Sequence, residues 1–235
     1  MIYIVYYGYS YDWTYILVII GTVITIIAQF FVNSSYSKYK ERENNTGITG
    51  REVARKILDA NGLKKVKVLE CAGTLTDHYD PTKKSVNLST DIYKDSSIAS
   101  IAVAAHECGH AIQDKVGYTF LRIRHALVPT VNLCSKLGYA VIGIGLLFGT
   151  YKLAMIGLIM LGAILLFQLV TLPVEFNASR RAMEELRDLN LTDDIGQNGV
   201  KSMLSAAAMT YVASLASTLL QILRMFIIIS SRRDD

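Results

Sequence analysis

Cysteine is scarce in this chain of 235 residues: Cys71, Cys108 and Cys134 stand at wide, irregular spacing. That pattern excludes a disulfide framework and a zinc ribbon, and it suits a reducing compartment. No internal repeat or low-complexity segment is visible, which excludes a repeat architecture. The first twelve residues, MIYIVYYGYSYD, contain no Lys or Arg and so lack the basic start of a cleavable signal peptide. The apolar segment behind them is expected to be retained. Charge is missing altogether from Trp13 to Val32 and from Leu153 to Leu172. Each run is long enough to cross about 30 Å of hydrocarbon as a helix. With 51% of residues apolar and a mean hydropathy of +0.32, a purely soluble core is excluded.

Two further apolar segments carry one charge each: Leu127 to Phe148 contains Lys136, and Ala206 to Ile229 contains Arg224. Both read as spans, giving a mainly α membrane protein of about four transmembrane helices. The five tyrosines of the first twelve residues, with Trp13 and Tyr15, suit an interfacial aromatic belt or an ordered soluble cap. Residues 33 to 125 hold 15 of the 24 Lys and Arg, and residues 173 to 205 hold four more. By the positive-inside rule both segments are expected on the cytoplasmic side, against the weak opposing vote of Arg232 and Arg233. The net charge of +4 calls for no nucleic acid, because Lys38, Lys40 and Arg42 are expected beside anionic lipid.

The chain therefore divides into a tail and first span (1–33), a cytoplasmic α+β insert (34–125), a membrane hairpin (126–172), a cytoplasmic helix (173–205) and a last span with its tail (206–235). Within the insert, Thr49 caps a helix whose Val53, Ile57 and Leu58 share a face and which Asn61-Gly62 ends. KVKVLECAG and GTLTDHYDPTKKSVNLS then predict a small sheet ending in a hairpin about Asp80-Pro81-Thr82-Lys83-Lys84. Asp95, Ser96 and Ser97 are N-cap candidates for a buried helix starting near Ile98.

That helix carries His106-Glu107-Cys108-Gly109-His110. Residues four apart share a helix face, so His106 and His110 can converge on one metal, while Glu107 is turned by about 100° toward the open coordination position. This is the geometry of a zincin. Zinc held by three protein ligands lowers the pKa of a water to about 7, the glutamate takes its proton, and the nucleophile attacks a carbonyl that the metal polarises. Stranding these side chains in an apolar helix without a metal would be costly. For the third ligand, His78 and His125 are the remaining histidines, and Glu175 is the better candidate: Pro173 can start a helix that carries it on its first turn. The residues alone leave Glu175 either a ligand or a solvated glutamate favoured by the helix dipole.

The first span, TGREVARKILDANG, LTDHYDP, VAAHECGHAIQ, the hairpin, PVEFNASRRA and AAAMTYVAS together resemble, in order, the YugP-like neutral zinc metallopeptidases of prokaryotic membranes, distant relatives of the HtpX and CAAX-prenyl proteases. The resemblance implies a zincin-like insert, proteolytic activity and Zn2+ as cofactor. The E-x-x-A-D-R pattern of the HtpX-like relatives maps the third ligand onto Glu175 and its arginine onto Arg180. Ser179 stands where they have Asp, and a hydroxyl orients a ligand histidine more weakly than a carboxylate.

The expected function is that of a membrane zinc endopeptidase acting on protein or peptide substrates at the cytoplasmic membrane face, with His106, His110 and Glu175 as ligands and Glu107 as general base. The alternatives are a catalytically silent scaffold braced by zinc, and a transporter using Lys136 and Arg224, disfavoured because four spans without inverted repeats are few. His78 and Tyr79 could contact substrate or an oxyanion, or support the turn. Cys108 reads as a core residue, Gly109 as a site of close helix packing, and His125 as an interfacial surface residue. Asn132, Lys136 and Gln168 either face inward around a polar cavity continuous with the site, or Lys136 stands at the headgroups. Arg224 is expected to snorkel to the outer interface.

Overall fold

The structure, a computed structural model, describes residues 12–231. The N-terminal tyrosines and the Arg232-Arg233 tail lie outside the described residues. In chain order the elements are α1 (Tyr15–Lys40), α2 (Gly50–Ala60), β1 (Lys67–Cys71), β2 (His78–Asp80), β3 (Ser85–Ser89), α3 (Thr90–Lys94), α4 (Ile98–Lys115), α5 (Thr119–Leu147), α6 (Tyr151–Asp188) and α7 (Asp194–Ser231). The fold is that of a mainly α membrane protein with a small α+β part. Four helices, α1, α5, α6 and α7, are long and apolar enough to cross a membrane. Ile26 and Phe30 on α1, Leu133 on α5, Ile159 on α6 and Leu219 on α7 are exposed without protein cover, as hydrocarbon contact requires.

The α+β part follows its local signals. Thr49 and Glu52 form a reciprocal capping box at the start of α2, which buries Val53, Ile57 and Leu58 completely. Gly62, with φ of +66°, turns the chain out of the helix. The sheet has the order β1-β3-β2, with β1 parallel and β2 antiparallel to β3, and Tyr79 opposite Val86 in the hairpin. Asp80 shapes the turn by accepting from the Thr82 and Lys83 amides. Of the three cap candidates, Ser97 caps α4, accepting from the Ser100 amide at 3.1 Å. The core gathers α2, β3 and α4 with the inner ends of α1, α6 and α7, so Tyr39, Leu186 and Val200 share one cluster with Ile57 and Ile101. The soluble and membrane parts are thus one packed body.

Three expectations change. Pro173 does not start a helix: α6 runs unbroken from Tyr151 to Asp188 with the proline inside it. Breaking a helix at the edge of hydrocarbon would strand more backbone groups than the one donor that proline removes. The carbonyl left without its donor is that of Leu169; nearby hydroxyls bond other carbonyls of the stretch, Thr171 donating to Phe167 O at 2.8 Å and Tyr118 to Pro173 O at 3.3 Å. Consequently residues 173–205 form no separate helix; they comprise the end of α6, a turn and the start of α7. The inward polar cavity does not form either, because Asn132 and Lys136 are exposed. On α5 it is Gly138, Ile142 and Gly145 that meet Leu161, Gly157 and Ala154 of α6, and Lys136 is turned about 200° from Gly138. Gln168 instead donates to Thr218 of α7 at 3.0 Å. Arg224 reaches the start of α1, pairing with Asp12 at 3.2 Å and lying 4.2 Å from the Tyr15 ring centroid.

Candidate metal centre

The site begins with a backbone contact between two helices. A Cβ on Gly109 would stand 2.6 Å from Ala178 O, so only glycine lets α4 lie this close to α6. Gly109 is adjacent to His110 and Ala178 is three residues from Glu175, so the close approach brings both histidines against the glutamate. His106 Nε2 and His110 Nε2 lie 3.3 and 3.7 Å from Glu175 Oε2. The imidazole rings stand nearly perpendicular, at 87°, with centroids 4.8 Å apart. One donor atom from each of the three residues falls within 4.8 Å of the others.

This arrangement fits zinc. Tetrahedral nitrogen and oxygen donors at their usual bond lengths stand roughly 3.3–3.5 Å apart, close to the two histidine–glutamate spacings found. The imidazole tautomer is fixed by a relay. Arg181 Nε, a permanent donor, gives a hydrogen bond to Asn177 Oδ1 at 2.8 Å. That same oxygen accepts from Gln113 Nε2 at 3.0 Å, and Gln113 Nε2 also donates to Val174 O at 2.8 Å. Gln113 Oε1 must then accept, and it faces His110 Nδ1 at 3.0 Å. The proton of neutral His110 sits on Nδ1, leaving the Nε2 lone pair aimed at Glu175. His106 has the equivalent partner in Ser179, whose hydroxyl is 3.2 Å from Nδ1. The Glu175 carboxylate is 4% exposed, and its second oxygen accepts from Arg124 Nη1 at 3.0 Å.

Glu107 is buried and lines a cavity of about 190 Å³ with His106 and Glu175. Asp77 closes one side; burial raises its carboxyl above the ordinary range, partly opposed by the Ser89 amide and hydroxyl that donate to it. The remaining walls come from α1, through Val32 and Tyr36, and α7, through Ala207 and Tyr211. Val32 closes the apolar run of α1 and Ala207 stands near the start of the apolar segment of α7, so the cavity lies beside the ends of these two apolar runs.

Arg180 is not part of this group. Five residues from Glu175, it is turned about 140° around α6 and is exposed beside Glu184 at 3.8 Å. Ser179, four residues on, keeps the site face. His78 is exposed and contacts Thr76 O, and Tyr79 donates to Asp114 at 2.7 Å, tying the hairpin to the end of α4. Both brace the sheet. His125 is exposed on α5. Cys108 is fully buried with its sulfur toward Ala54 O, and burial pushes its thiol pKa well up. Gln113, Arg124 and Tyr211 were not foreseen as site residues. Gln113 had a signal, standing three residues from His110 on the same helix face. Arg124 had none, since its reach to Glu175 depends on the turn at Gly117, whose φ is +66°.

If the relay sets the His110 tautomer, Gln113→Leu is expected to weaken zinc affinity by about 10–100-fold. Competition with a calibrated chelator measures it; unchanged affinity would show that the tautomer needs no such partner.

Comparison with known proteins agrees with this geometry. The profile of the family described as "Putative neutral zinc metallopeptidase" matches residues 14–230. The chain is 45% identical over 208 residues to the "Putative membrane protease YugP" of Bacillus subtilis (strain 168), covering 88% of this chain and 92% of that protein. No solved structure matches. With a profile match along nearly its whole length and a triad between α4 and α6 that could hold a metal, the chain belongs to this neutral zinc metallopeptidase family.

Proposed function

We propose that this protein is a multi-pass membrane zinc endopeptidase of gluzincin type, hydrolysing peptide bonds presented at the cytoplasmic membrane face. The observation that carries the reading is the convergence of His106, His110 and Glu175 at a cavity that Glu107 also lines. In this reading the triad holds Zn2+, which when bound polarises a carbonyl and acidifies water. Glu107 accepts the proton of the attacking water as its oxygen bonds to the carbonyl carbon. It then delivers that proton to the departing amine nitrogen as the C–N bond breaks. Ser179 and Gln113 orient the two histidines, and Arg124 holds one oxygen of Glu175 so that the other faces them. A silent scaffold would have no use for a buried glutamate turned into a cavity beside its metal ligands.

The deciding experiment is proteolysis of a membrane protein substrate by the purified protein, with and without chelator, alongside metal analysis. Cleavage that disappears with chelator and returns with zinc is expected; zinc without cleavage would favour the scaffold.

The cytoplasmic placement rests on the 19 Lys and Arg in residues 33–125 and 173–205. Cysteines introduced at Lys40 or Arg187 should resist an impermeant thiol reagent in intact cells, and one at Thr150 should be labelled. The reverse pattern would put the site outside.

A further inference from the structure

Three contiguous spaces surround α7. The metal cavity takes Leu204, Ala207 and Tyr211 from one side of that helix. A groove of about 590 Å³ along α1 and α7 takes Ser202, Ala206 and Ala213 from the other side, roughly 150° around at 100° per residue. Between them, α6 and α7 frame a crevice of about 210 Å³. The crevice shares Ser179, Leu204 and Ala208 with the metal cavity, and Ser205 and Met209 with the groove. Its outer margin is formed by Phe176 and Met209, 48% and 55% exposed. The three spaces thus adjoin one another around α7, from its groove side to His106 and Glu107, with the buried Ser179, Leu204 and Ala208 standing between crevice and metal cavity.

We infer that the groove docks the transmembrane helix of a membrane-anchored substrate, whose extended juxtamembrane segment passes between α6 and α7 to the metal cavity. The inference rests on the peptidase reading above and adds to it the substrate class and its route. Seven of the groove's thirteen lining residues are Ala or Ser, so a helix backbone can approach closely where hydrophobic driving force is absent. The lining also changes with depth. Ile24, Ala28 and Ala213 lie within the apolar spans, whereas Ser34, Lys38 and Ser202 lie beyond them, at the level where an incoming helix leaves hydrocarbon. Lys38 there suits a polar or acidic residue at the end of that helix. The hydroxyls of Ser35, a groove-lining residue, and of Tyr36, a cavity-lining residue, are buried without a protein partner among the described residues. Peptide N–H and C=O groups supply what these hydroxyls lack; a hydrocarbon tail does not.

The test uses full-length Glu107→Gln protein in phosphatidylcholine–phosphatidylglycerol vesicles. The probe is a Leu/Ala transmembrane helix of about 20 residues with a short unstructured tail. A photoreactive residue at Met209 or Ser202 should cross-link the probe helix, and one at Phe176 its tail. Leu133, exposed on α5 and lining none of the three spaces, serves as control. Equal yields at Leu133 and Met209, or cross-links to lipid alone, would overturn the docking surface. In active protein, Ser205→Trp, which fills the junction of groove and crevice, should lower the ratio of anchored-tail to free-tail cleavage at least tenfold. An unchanged ratio would overturn the route. Wild type cleaving neither tail would defeat the peptidase reading instead, while the cross-links still decide the docking.

Discussion

Glu107→Gln is expected to bind zinc like the wild type and to lose turnover by roughly 10²–10⁴-fold, the usual worth of a positioned general base. The amide keeps the shape of a side chain that is 8% exposed, so the cavity wall is preserved. What it loses is the ability to accept a proton. Glu107 is one residue from His106 and turned off the face that His106 and His110 share, which separates proton transfer from ligation. Metal analysis and single-turnover cleavage on the same preparation distinguish the roles. Loss of zinc would make Glu107 a ligand, and undiminished cleavage would remove it from the chemistry.

Glu175→Gln should act on the metal itself. The substitution replaces the anionic donor facing both histidines and takes the charge partner from Arg124. A drop in zinc affinity greater than the roughly 10–100-fold of an outer-sphere change is expected. Because the ligand stands on α6 and the histidines on α4, metal loss should also loosen these helices, read as faster limited proteolysis between them. Glu184→Gln is the control, since Glu184 is exposed beside Arg180. Retained zinc in Glu175→Gln, together with zinc loss in Glu184→Gln, would move the third ligand nine residues along α6, about two and a half turns away on the opposite face.

Both experiments bear on the same architectural fact. The three residues that could hold a metal join α4, a helix of the α+β part, to α6, one of the helices long and apolar enough to cross a membrane. The walls from Val32, Tyr36 and Tyr211 belong to membrane helices, while Asp77 belongs to the segment before the hairpin. On the proposed function a substrate chain must reach this site past walls formed by α1 and α7, and the crevice framed by Phe176 and Met209 is the inferred way in.

Sequence by itself determined what depends on near neighbours. Uncharged runs marked membrane helices because hydrocarbon tolerates no stray charge, and the four-residue spacing of His106 and His110 defined a ligand face because a helix repeats every 3.6 residues. Thr49, Ser97 and Asp80 announced their cap and turn roles because those contacts span two or three residues. Resemblance, rather than pattern, pointed to Glu175, since 64 residues lie between it and His110. Tertiary structure alone decided that α6 passes through Pro173 and that Arg124 reaches Glu175. The first depends on what surrounds the helix at that depth, the second on the close approach of α4 and α6 at Gly109 and Ala178 and on the path of the chain through the turn at Gly117. Lys136 and Arg224 illustrate the same division. Their presence in apolar segments was plain from composition, but whether a charge faces lipid or finds Asp12 is settled only by which helix packs beside it.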